Sequence, residues 1–271
     1  MRHVCNALKS VAGITGNSVN YNHLIPYTET MEIKLSIRRV AVIAAMLSVP
    51  SPVFAQETPS RISWAPSYSG SCVDCSLTGR NMSGWNVSNA RYQGADLTAA
   101  ILHRAQGHGA NFDQAQATGA DLRLGDFTGA SFEDAILVGA RLQHGVFNSG
   151  KMAGTVLTGA DLSDGKFIGT TLTGAHLQSA TVHNTDFSAA TLAEAMLVGA
   201  DLTGSVFDNA VLTDADLTGA IITDASFKDV RFSGAVLEGL VGVETADFDG
   251  ACASEDSQLP MGLSLPDCAE F

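Results

Sequence analysis

Residues 198–227 read "VGADLTGSVFDNAVLTDADLTGAIITDASF", with a large apolar residue at every fifth place: Leu202, Phe207, Leu212, Leu217, Ile222 and Phe227. Two residues before each stands a small one: Ala200, Ser205, Ala210, Ala215, Ala220 and Ala225. On an α-helix a step of five advances by about 500°, so successive apolar groups spiral around the axis and make no stripe. On a straight strand, positions i and i+5 fall on opposite faces. A chain that turns a corner after each short extended piece resolves the conflict. Every fifth residue then points to a common axis, and position i−2 points inward as well, because i−2 and i share a face.

This register holds without a break from Leu97 to Leu237. Its 29 central positions are 15 Leu, nine Phe, Gly107, Ala117, Met152, Val182 and Ile222. The paired positions from Ala95 to Ala235 hold 20 Ala, four Gly, three Thr, Ser205 and Val230. A second period sets the shape: Phe127, Phe147, Phe167, Phe187, Phe207 and Phe227 lie twenty residues apart, as do Leu137, Leu157, Leu177, Leu197, Leu217 and Leu237. That recurrence predicts coils of four five-residue sides, stacked in register. Gly125, Gly145 and Gly165 precede three of the phenylalanines and are expected to leave room for the rings in a close-packed interior. Thr, Ser, Asn, Asp and Gly fill the corners, where turns favour them.

These residues, typified by "GADLT" at 199–203 and 94–98 and "GADLS" at 159–163, resemble the pentapeptide repeat family. The resemblance covers residues 72–251 and implies an all-β fold, a right-handed four-sided parallel β-helix of about nine coils. With coils about 4.8 Å apart such a rod is roughly 40 Å long. The first coil keeps the fivefold phase through Cys72, Leu77, Met82, Val87 and Tyr92, yet carries Arg80 and Trp85 at small-residue positions. It reads as an N-terminal cap. At the other end the phase slips by one, with Phe248 where 247 is called for, and a tail over 252–271 holds Pro260, Gly262 and Pro266. That tail is expected to cap the C-terminal edge, since a solenoid must cover its unpaired ends.

Ahead of the rod the composition changes. From Met31 the chain reads "MEIKLSIRRVAVIAAMLSVPSPVFAQE", with a basic start at Lys34, Arg38 and Arg39, an apolar run from Val40 to Val49, and a small-x-small boundary at Val53-Phe54-Ala55. This is the pattern of a signal peptide over 31–55 cut after Ala55; an uncleaved anchor of the same topology is the alternative, and the only membrane role expected. Residues 1–30 carry no such pattern and read as an extension upstream of the true start, and 56–71 as a linker. The expected location is therefore the periplasm or the exterior. The chain of 271 residues has a formal charge of −13. Without residues 1–55 it keeps 10 basic against 26 acidic side chains, or −16, which argues against direct binding to nucleic acid or anionic lipid.

Four cysteines remain: Cys72, Cys75, Cys252 and Cys268. An even number in an exported chain points to disulfides. Three pairings are possible, and Cys72–Cys75 with Cys252–Cys268 is favoured because the two pairs fall at opposite ends of the rod. "CVDC" also matches a redox motif, without the βαβ context that goes with one, and a zinc site needs two further ligands that are not near in sequence.

The outward positions i−1, i+1 and i+2 show no partnered nucleophile. His103 and His183 share a column four coils apart, His108, His144 and His176 lie elsewhere, and Glu133-Asp134 and Asp214 with Asp216 are carboxylate pairs without an insertion that would form a pocket. Asp121, Arg141, Asp161, Thr181 and Asp201 stack as a ladder of alternating charge. No enzyme and no cofactor are expected. The reading is an exported scaffold for a protein or cell-envelope partner, or for a second copy of itself. The resemblance also implies a second class: some family members imitate a DNA rod in size and acidity and protect topoisomerases, a role that requires a cytoplasmic chain. The candidate partner face follows the Leu series, where outward Ile136, Val138, Val156, Met196 and Val198 alternate with Thr158, His176 and Gln178.

Overall fold

The structure, a computed structural model, describes residues 70–268. The upstream extension 1–30, the signal-like segment 31–55 and most of the linker lie outside the described residues.

Each five-residue unit is extended over i−2 to i and turns over i+1 and i+2. The residue at i−1 pairs in parallel with the residue twenty places on, as in Asp96 with Gln116, Gln116 with Ile136 and Ile136 with Val156. Four units therefore close one coil, and the chain winds a four-sided β-helix. The turn needs a left-handed residue at i+2, and it is met by Gly204 at φ 69° and equally by Ala99 at 54° and Leu124 at 58°. Glycine is the unstrained choice there, but the ladder on both sides holds other residues in place.

The backbone polar groups can be followed one by one. In the unit around Leu97, Leu97 N donates to Gln116 O at 2.7 Å and Ala99 N to Thr118 O at 2.9 Å, both in the following coil. Asp96 N reaches back to Cys75 O at 2.8 Å, and Ala100 N closes the turn on Leu97 O at 2.9 Å. The remaining donor, at i+1, is taken by a side chain: Thr98 N donates to Asp96 Oδ1 at 3.0 Å. The same Asx bond recurs at Asp161–Ser163, Asp201–Thr203 and Asp216–Thr218, which explains why Asp-Leu-Thr is the commonest reading of a side. At three sides where i−1 is not Asp or Asn, an i+1 side chain of the preceding coil accepts instead, as Asn148 Oδ1 does for Ile168 N at 3.0 Å, Asp113 for Glu133 N and Asp208 for Lys228 N.

Inside, the central and i−2 residues are buried along the rod. Phe147, Phe167, Phe187, Phe207 and Phe227 stack face to face with ring centroids 4.8, 5.0, 5.0 and 5.1 Å apart. A second stack, Tyr92–Phe112–Phe132, runs along the adjacent side at 5.2 and 4.7 Å. The glycines before the rings are required by space: a Cβ on Gly125, Gly145 or Gly165 would lie 2.4, 2.7 or 2.9 Å from the Phe ring that follows it. Gly107 stands in the Phe column itself, and a Cβ there would come within 2.5 Å of the Phe127 ring. Four buried hydroxyls replace Ala at i−2, and each finds a carbonyl, as Thr155 does on Phe132 O at 2.8 Å and Thr185 on Leu162 O at 2.9 Å. Ser205 donates to Val182 O.

At the N-terminal end Trp85 packs half-buried against the core. At the C-terminal end the one-residue slip bulges out as a turn in which Thr245 N and Ala246 N donate to Gly242 O. Pairing then resumes with steps of 21 and 22, Arg231 with Cys252 and Val236 with Gln258, and Ala253 pairs with Asp267. The ladder thus runs past residue 251, and the proline-bearing tail supplies a further rung. Cys72 is joined to Cys75 and Cys252 to Cys268.

Candidate functional site

The sides can be named by their central columns: the Leu side (77 to 237 in steps of twenty), the charged side (82 to 222), the Phe side (87 to 227) and the fourth side (72 to 232). The five residues singled out for a partner face lie on the Leu side, Ile136, Val138 and Val156 in two neighbouring coils and Met196 with Val198 in a third, with the coil of His176 and Gln178 between them. Ile136, Val156, His176, Met196 and Asp216 are consecutive rungs of one parallel ladder, and Val138, Thr158, Gln178 and Val198 form the i+1 column beside it. Val138 and Met196 are 37% and 36% exposed, while Ile136, Val156 and Val198 are half-buried. Two of the three polar interruptions turn toward their neighbours, while His176 stands half-buried on the ladder between Val156 and Met196. Thr158 Oγ1 donates to Gln178 Oε1 at 3.3 Å, and Gln178 Nε2 reaches Met196 Sδ at 3.3 Å. Two rungs beyond Met196 the same ladder reaches Val236, with the carboxylate of Asp216 on the rung between.

The corner beside this strip is low. A Cβ added to Gly139, Gly159 or Gly199 would meet nothing within 4 Å. A flat partner surface meets little relief along that edge. On the opposite edge, the i+2 corner of the fourth side carries exposed Asp134, Glu194 and Asp214.

The charged side departs from the alternating ladder. Asp121 is only 4% exposed and is held by two arginines. Arg123 Nε and Nη2 donate to its two oxygens at 2.8 and 2.7 Å, and Arg141 Nη2 adds a bond at 3.0 Å. The fork from Arg123, with Arg141 beside it, keeps the Asp121 carboxyl below the ordinary carboxylate range. Arg123 was not anticipated; it occupies the place after the central residue where Thr or Ser makes the Asx contact, and that position was the available signal. The next rung does not continue the alternation. Asp161 accepts from Gln143 Nε2 at 2.5 Å and Ser163 Oγ at 2.7 Å, and Asp201 lies 2.8 Å from His183 Nε2. Arg141 spends its short contact on Asp121, the better-desolvated carboxylate.

His108 and His144 face Asp126 and Asp164 at 3.5 and 3.8 Å, each histidine with its own acid and none with another. No serine, threonine or cysteine side chain is hydrogen-bonded to a histidine ring among the described residues, and no group of three metal-binding side chains is formed there. Hollows occur at the C-terminal end, one lined by Glu238, Leu240, Val243, Glu244, Leu259 and Met261. It joins two carboxylates to an apolar wall and holds no nucleophile.

Among curated proteins none matches the sequence. Among solved structures, HetL, a pentapeptide repeat protein involved in heterocyst differentiation regulation in Nostoc sp. strain PCC 7120, is 24% identical over 70% of this chain and 89% of its own, at a TM-score of 0.36. The Arabidopsis thaliana thylakoid-lumen protein AT2G44920 is 29% identical over 34% of this chain and 65% of its own, at 0.34. QnrB1, a plasmid-mediated fluoroquinolone resistance protein, is 17% identical over 68% of this chain and 90% of its own, at 0.35. The family described as pentapeptide repeats matches in eight copies, in overlapping stretches that run from residue 90 to residue 239. The chain belongs to the pentapeptide repeat family, and its coils are that family's right-handed four-sided β-helix.

Proposed function

We propose that this protein is an exported, non-enzymatic scaffold whose Leu side docks a protein or cell-envelope partner. The observation that carries the reading is the strip of Ile136, Val138, Val156, Met196 and Val198, laid in register beside a corner of Gly139, Gly159 and Gly199 that only Ser179 interrupts. Monomeric soluble proteins seldom leave a contiguous apolar patch without a use. Export is supported by the signal-like residues 31–55 and by the joined cysteine pairs at both ends, which suit an oxidising compartment. The packed interior supports a role carried by the outer surfaces.

Two measurements test the two halves of the proposal. N-terminal sequencing of the fractionated protein is expected to find Gln56 first, in the periplasm or medium. A cytosolic chain beginning at Met1 or Met31 overturns export and favours the topoisomerase-directed DNA mimic, which the acidity of the chain also fits. Val138→Asp combined with Val198→Asp is expected to leave the fold intact, since both side chains point outward, and to abolish partner capture. Unchanged capture reduces the strip to backbone-favouring β-branched residues.

A further inference from the structure

We infer that the element seated on the Leu side is a basic amphipathic α-helix of a partner protein, lying along the rod axis. This rests on the reading of that side as the partner face. Spacing is the first argument. Successive rungs of the strip are one coil apart, about 4.8 Å, and a helix presents its apolar stripe once per turn, about 5.4 Å. Over the three intervals from Ile136 to Met196 the two rulers drift apart by only about 2 Å. An extended peptide shows same-face side chains about 6.7 Å apart, and falls out of step by more than a full coil over the same distance. The corner at Gly139, Gly159 and Gly199, broken only by the short Ser179, also lets a helix approach closely from that edge.

Charge selects the kind of helix. Asp134, Glu194 and Asp214 are exposed along one edge, and Asp161 and Asp201 stand in the column beyond the glycine corner. The basic residue among them, Arg141, already donates to Asp121 at 3.0 Å. Lysines or arginines flanking the apolar stripe of a helix would meet these two acidic borders. A second copy of the same face would set acid against acid, a juxtaposition that opposes pairing. The partner is therefore basic, and self-association through this side is disfavoured.

The test uses the full exported chain and a fluorescein-labelled peptide of about 18 residues, long enough to span four coils, with Leu at i, i+3, i+4 and i+7 and Lys elsewhere. Anisotropy titration at physiological salt is expected to show binding that Val138→Lys with Val198→Lys weakens about tenfold or more, while Ile168→Lys on the Phe side changes it less than about twofold. A peptide of the same composition in strict Leu-Lys alternation is expected to bind about tenfold more weakly. If the alternating peptide binds as tightly and the Val138/Val198 pair still matters, the helix assignment falls and the partner face stands. If Ile168→Lys weakens binding as much as the pair does, the attraction is diffuse charge and the inference is overturned. Absence of peptide binding to a chain whose Val138→Asp/Val198→Asp variant has lost its cellular partner likewise removes the helix and keeps the face.

Discussion

Truncating Phe167 to alanine is expected to lower the unfolding free energy by about 3–5 kcal/mol, through lost burial and the cavity left behind. The ring is fully buried and lies between Phe147 at 4.8 Å and Phe187 at 5.0 Å. Relaxation cannot fill the gap, because Phe167 N is bonded to Asp186 O at 2.7 Å and Lys166 N to Gly145 O at 2.9 Å, pinning the coil to both neighbours. The small residue beside it, Gly165, contributes no side chain that could swing into the space. In a solenoid each coil is stabilised mainly by the coils it touches, so a mid-rod cavity weakens two interfaces together. Thr158→Ala is the matched comparison. Its hydroxyl makes one 3.3 Å contact on the outer surface, and its loss is expected to cost under about 0.5 kcal/mol. Denaturant melts of the two variants check the assignment, and equal losses would contradict the placing of Phe167 inside and Thr158 outside.

The ease with which such positions are read has a local cause. In this fold the direction of a side chain depends on its place within five residues, since i−2 and i face inward on an extended piece and the turn always falls at i+1 and i+2. Buried Leu97, Phe147 and Leu237 therefore announce themselves by spacing alone, and so do the glycines before Phe127, Phe147 and Phe167. Long polar side chains do not obey that rule. Arg141 stands one rung from both Asp121 and Asp161, and spacing cannot say which it will choose. The choice is made by desolvation, because Asp121 is already enclosed by the Arg123 fork. The strip on the Leu side was legible as a column, but its graded exposure was not. The outward face of Ile136 is partly covered by the coils above and below, a contact between residues twenty apart that periodicity does not measure. What the strip binds is less legible still, since an outward side chain has no packing duty that would constrain it.

Breaking the Cys252–Cys268 bridge by Cys268→Ala is expected to destabilise the C-terminal cap by about 3 kcal/mol, on the loop-entropy estimate for residues separated by 16 in sequence. Substituting Cys268 spares Cys252, which is 3% exposed and sits within the ladder, its N donating to Val230 O at 2.9 Å and its O accepting from Phe232 N at 2.8 Å. The bridge fixes the final rung, where Ala253 N donates to Pro266 O at 2.9 Å and Cys268 N to Ala253 O at 3.1 Å. Two hydrogen bonds cannot hold this rung against the freedom of the loop between them. Once it leaves, the backbone of residues 251–253 becomes an open parallel edge, the surface on which rods stack end to end. The Cys72–Cys75 pair, separated by three, closes so short a loop that its loss should cost about half as much. The expected signature is fast hydrogen exchange at the Ala253 and Cys268 amides with slow exchange retained at Phe167, accompanied by concentration-dependent sedimentation. Exchange at Ala253 as slow in Cys268→Ala as in the parent would show that packing of the tail, and not the bridge, closes the rod.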